Sequence, residues 1–240
     1  METIKDLEDL FIHYIQNLYS SEEQLLEVMP AIIEKVNHRS LKNALQHHLD
    51  VSKEHKARLE KIPAILSEKK KRGAGETKGE KNFSLQPGQK CKGMTGLVEE
   101  ASELLSLDID TDVTDAVISG CVQKIEHYEV CTYGTALAYA NQLHLYKAEQ
   151  LLRETLDEEY DADDLLTALA TAALNKEAVP EGTEEQDDQD LEVNEETGNA
   201  GDDTSRELPK VIISERTVNS PGGRAGTSHR RYPSGESRGH

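Results

Sequence analysis

Two carboxylates, Glu126 and Glu129, lie in the stretch QKIEHYEVCTYGTALAYANQL, residues 123–143. Val122, Ile125, Tyr133, Ala136, Leu137 and Ala140 recur around them at helical spacing, so the two acids share the apolar face of one helix. An unpaired buried carboxylate costs several kcal/mol, which protons, cations or a bound metal must relieve. The same anomaly recurs elsewhere. Glu22 interrupts a stripe between Leu18 and Leu25. His48 and His55 fall on a seam with Leu41, Leu45, Ser52, Leu59 and Ile62. Glu158 falls on a stripe of Ala148, Leu151, Thr155, Ala162, Leu165 and Leu169. Carboxylate oxygens with imidazole nitrogens suit iron or manganese better than metals that seek thiolates.

These residues need elements that bring them to one level. The spacing predicts a first helix over 3–29, capped by Thr3 with Asp6, then Pro30 and a continuation over 31–38. Ser40 is the expected cap of a second long helix, 41–66. Residues 67–93 are rich in Lys and Gly and read as a flexible basic loop. A short helix over 94–106 follows. The segment DIDTDVTD (108–115) lacks the central Gly and terminal Glu of a calcium loop, and reads as the acid-rich start of a third long helix, 112–143. A break near His144 precedes the last long helix, 145–175. Four long helices packed antiparallel place their mid-length residues side by side, as carboxylate-bridged metal centres require. The expected organisation is all-α: a bundle over 1–175, then a disordered tail over 176–240, acidic and then basic.

Composition narrows the function. The 240 residues carry a formal net charge of −19, which argues against nucleic-acid binding by the bundle. Cys91, Cys121 and Cys131 form no CxxC pair, which excludes a disulfide framework or a zinc site and fits a reducing cytoplasm. The N-terminus METIKDLEDLF lacks the apolar core of a signal peptide. No apolar run approaches the ~20 residues of a membrane span. The expected location is cytoplasmic, with no membrane partner. No partner is assigned to the tail.

LYSSEEQL (18–25), HHLDVSKEHKARLE (47–60), KCKGM (90–94), QKIEHYEVCTYGT (123–135) and LLRETLDEE (151–159) resemble the YciF-like branch of the ferritin-like superfamily. The resemblance spans about residues 4–174. It implies a ferritin-like four-helix bundle with a long crossover carrying a short extra helix, usually a homodimer, in bacterial stress-induced proteins. By analogy with rubrerythrins it also implies a di-metal site. Carried over residue by residue, the ligands are Glu22, His48, His55, Glu126, Glu129 and Glu158, holding one or two ions of iron or manganese. Such a centre would handle oxygen, peroxide or iron. The chain departs from the pattern at Val51, where the family has an acid, and it contains no Glu-x-x-His repeat. Those departures favour the alternative, a non-enzymatic helical stress or interaction protein with a vestigial or structural metal site.

Overall fold

A computed structural model describes residues 4–73 and 83–180. The helices are α1 (Leu7–Lys35), α2 (Arg39–Leu59), α3 (Ile62–Gly73), α4 (Lys92–Leu104), α5 (Thr111–Gln142) and α6 (Tyr146–Leu169). A π turn over Ala170–Leu174 and a last helical turn, Asn175–Glu177, continue α6. No helix among the described residues is long and apolar enough to cross a membrane. Residues 181–240, most of the expected tail, lie outside the described residues, as does Thr3.

The long helices form a ring in which α1 packs on α2 and α5, and α6 packs on α2 and α5. Two apolar clusters fill it. Phe11, Ile15 and Leu18 of α1 meet Leu59 of α2, Tyr133, Ala136 and Ala140 of α5, and Leu152 of α6. Leu25, Met29 and Ile33 of α1 meet Leu41 and Leu45 of α2, Ile118 and Val122 of α5, and Leu166 of α6. The start of α1 therefore meets the ends of α2 and α5, so neighbours in the ring run antiparallel. Between the two clusters, at mid-length, lies the layer of acids and histidines.

Local chemistry sets the helix ends. Asp6, rather than the expected Thr3, caps α1 by accepting from Asp9 N at 2.9 Å. Pro30, expected in the first turn of a next helix or at a kink in the first, lies inside the single helix α1. Pro30 is exposed, and Met29, Ile32 and Ile33 anchor the helix on both sides of its missing donor. His38, not Ser40, caps α2. The single helix expected over 41–66 is broken at Glu60 and Lys61, because Pro63 has no N–H for the Leu59 carbonyl and its ring crowds that carbonyl, so it sits in the first turn of α3. At the end of α5, Leu145 N donates to Ala140 O and His144 N to Asn141 O, both at 2.9 Å. This is a Schellman closure, with His144 in the left-handed position at φ 55°.

The chain over 83–91 is not a free loop. Gln16 exchanges two hydrogen bonds with the backbone of Gln86: Gln86 N donates to Gln16 Oε1 at 2.8 Å, and Gln16 Nε2 to Gln86 O at 2.9 Å. One turn on, Ser20 Oγ accepts from Cys91 N at 2.8 Å, and Gln24 Nε2 donates to Cys91 O at 3.2 Å. Residues 16, 20 and 24 line one face of α1 at intervals of four, and they tie down the crossover that carries α4.

Candidate metal centre

Each long helix contributes to the polar layer. Glu22 of α1, His55 of α2, Glu126 and Glu129 of α5 and Glu159 of α6 are all inaccessible to solvent, and His48 is 6% exposed. Single donor atoms from His48, Glu126, Glu129 and Glu159 lie within 4.8 Å of one another, as do those of Glu22, His55 and Glu159. Glu159 is common to both groups. His48 Nε2 is 3.2 Å from Glu126 Oε1. His55 Nδ1 is 3.0 Å from Glu159 Oε1 and 3.5 Å from Glu22 Oε1. Tyr133, wholly buried, donates its hydroxyl to Glu22 Oε1 at 2.6 Å.

Most of this polar surface is unsatisfied. Glu22 Oε2, both carboxylate oxygens of Glu126, Glu129 and Glu159, and His55 Nδ1 make no hydrogen bond within the protein. Buried polar atoms are nearly always hydrogen-bonded, so orphaned donors converging from four helices fit a cation. The donor types suit a divalent first-row metal.

A family description reading "Domain of unknown function (DUF892)" matches residues 6–79 and 84–179. The chain belongs to the DUF892 family. "Protein YciF" of Escherichia coli (strain K12) is 35% identical over 175 residues, which covers 73% of this chain and 96% of that protein. The crystal structure of the E. coli stress protein YciF superposes with a TM-score of 0.62 at 34% identity, over 72% of this chain and 99% of that one. YcfI of Rhodopseudomonas palustris superposes with a TM-score of 0.58 at 30% identity, over 68% and 94% of the two chains. This DUF892 chain is therefore a YciF-like helical protein.

Burial and mutual repulsion govern the titration of the DUF892 layer. Burial, then the neighbouring carboxylates, pushes Glu126 and Glu129 well above the usual carboxylate range. Glu22 is also raised by burial, against the opposing pull of His55. Burial would raise Glu159 too, but contact with His55 outweighs it and leaves the group lowered. Burial opposes charge on His55, yet the hydrogen bond to Glu158 and the close carboxylates of Glu159 and Glu22 hold it up to about 12. His48 is lowered by burial.

Of the residues predicted from sequence, Glu22, His48, His55, Glu126 and Glu129 converge in this layer. Glu158 does not. Its side chain is 34% exposed and pairs with Arg58, while its neighbour Glu159 points inward. The buried face of α6 is Ala148, Leu152, Thr155, Leu156, Glu159 and Leu166, rotated about one residue (about 100°) from the expected stripe. The sequence offers Leu–Leu at 151–152 and 165–166 and Glu–Glu at 158–159, so both registers carry the same residue types. Sequence reasoning also missed Arg58, a buried cation three residues past His55.

Proposed function

We propose that the polar layer is a metal centre for iron or manganese, held by Glu22, His48, His55, Glu126, Glu129 and Glu159, through which the protein handles oxygen, peroxide or iron under stress. The observation that carries this reading is the set of buried, unpartnered carboxylate oxygens supplied by three helices around two histidines. Glu159, shared by both donor groups, supports two adjacent ions. The E. coli relative is named a stress protein, which supports the physiological setting.

A bound transition metal would supply one-electron redox chemistry and Lewis acidity. The chain does the rest. The two apolar clusters above and below the layer exclude bulk water. The Tyr133 hydroxyl orients Glu22. A cavity of about 440 Å³ between α2 and α6, walled by Ala44, Val51, Ala162 and Leu165, reaches His48 and Glu158. It suits the approach of a small molecule to the layer.

A second reading, a non-enzymatic bundle with a vestigial or structural layer, is favoured by the protons the layer holds. Charge on His55 offsets part of the acid, and raised Glu126 and Glu129 can neutralise themselves. Metal analysis of protein purified without chelators, with an absorption spectrum, separates the two. Stoichiometric iron or manganese supports the first reading. Metal-free protein that takes up neither ion when both are supplied supports the second. Light scattering on the same sample tests the homodimer that the resemblance implies.

A further inference from the structure

We propose that Glu158 and Arg58 form an outer pair that positions His55 for metal binding, so that the adjacent glutamates of α6 do different work. Glu159 is a donor to the centre, and Glu158 is the acceptor that orients the imidazole. The inference rests on the metal reading above.

The geometry at His55 is directional. Its Nδ1 faces Glu159 and Glu22 without an aligned hydrogen bond. Its Nε2 meets Glu158 Oε2 on the opposite side, at 2.9 Å. An imidazole that gives one nitrogen to a metal keeps its proton on the other, and the acceptor at that second nitrogen fixes which is which. Glu158 is that acceptor. It keeps a proton on Nε2, so that Nδ1, turned toward Glu159 and Glu22, is the nitrogen a metal would take.

Glu158 is itself held in place. Arg58 grips both carboxylate oxygens, Nη1 on Oε2 and Nη2 on Oε1, the latter at 2.9 Å. The guanidinium is steadied in turn by Thr155 Oγ1 at 3.3 Å and Glu154 Oε1 at 3.2 Å. A two-pronged guanidinium grip sets the carboxylate plane as well as its charge. A plain surface clasp between α2 and α6 would need only Arg58 and Glu158. The contact with a wholly buried histidine whose other nitrogen faces Glu159 and Glu22 is what goes beyond a clasp.

The test titrates the full-length protein with Mn(II) alone by calorimetry, comparing wild type with Glu158→Ala, Glu158→Gln and Glu159→Gln. Removal of an orienting partner is expected to weaken binding roughly 10- to 100-fold. Glu158→Ala should show that loss while the number of ions bound stays the same. Glu158→Gln, whose amide oxygen still accepts from Nε2–H, should lose less. Glu159→Gln should lower the number of ions. In the Mn(II)-loaded protein with ¹⁵N-labelled histidine, Glu158→Ala should also shift the pulsed-EPR coupling of the remote imidazole nitrogen, a change that loss of a surface clasp would not produce. The proposal is overturned if Glu158→Ala binds within about twofold of wild type. It is equally overturned if Glu158→Ala loses an ion as Glu159→Gln does, since Glu158 would then be a donor. Mn(II) binding by wild type with unchanged affinity in Glu158→Ala sinks this proposal alone. Failure of wild type to bind any Mn(II) sinks the metal reading with it.

Discussion

Glu22 and Glu23 are neighbours in sequence with opposite surroundings. Glu22 is wholly buried and receives the Tyr133 hydroxyl, whereas Glu23 is partly exposed and pairs with Lys56 at 3.3 Å. Glu22→Ala should therefore reduce bound metal sharply, and Glu23→Ala should leave it unchanged. Equal loss in both, measured by metal analysis, would contradict the layer. Glu126 and Glu129 make a second, pH-dependent case. Their folded values lie well above the ordinary 4.5. The protonated forms thus stabilise the metal-free fold fully below about pH 4.5, and that contribution is lost as pH rises through the raised values. Metal-free protein should become easier to unfold in urea between about pH 5 and about pH 8. The double variant Glu126→Gln/Glu129→Gln should flatten this slope, abolish metal binding and raise stability at the higher pH by roughly 1–4 kcal/mol. A flat wild-type profile would mean that the two acids do not face each other.

At the scale of the helices, the sequence was readable where one stripe dominated and unreadable where two competed. α5 has a single face of small and apolar residues, so Glu126 and Glu129 could be placed without structure. α6 carries doubled leucines and doubled glutamates, and only packing against α2 and α5 selects Glu159. The anchoring of the crossover was also hidden, because Gln16, Ser20 and Gln24 look like solvent-facing polar residues until Gln86 and Cys91 meet them. The same crossover brings Gly93 under the ring of Tyr128, whose hydroxyl lies 2.9 Å from Cys91 Sγ. A Cβ at Gly93 would come 2.7 Å from Tyr128 Cε2. Gly93→Ala should therefore cost about 1–3 kcal/mol by denaturant melting. The same change in a Tyr128→Ala background should cost little, because the obstructing ring is gone. An equal cost in both backgrounds would place the strain elsewhere.

Across the molecule, a chain with formal charge −19 gathers its four wholly buried glutamates, Glu22, Glu126, Glu129 and Glu159, in one layer. Metal supplied at about 100 times its dissociation constant should stabilise the fold by about 2.7 kcal/mol. Chelation should reverse this, read as a shift in the thermal midpoint. No shift on adding or removing iron or manganese would mean that the layer is neutralised by protons alone. The layer also divides the interior, with Phe11, Ile15 and Leu152 on one side and Met29, Leu45 and Ile118 on the other. Among the described residues, four continuous helices, the crossover over 83–94 and the polar layer join the halves. With no cation bound, the weakest stratum of the interior lies at mid-height, so amide protons should exchange as two blocks that open separately. An ion at the seam would make them open together, and the protein would unfold as one body.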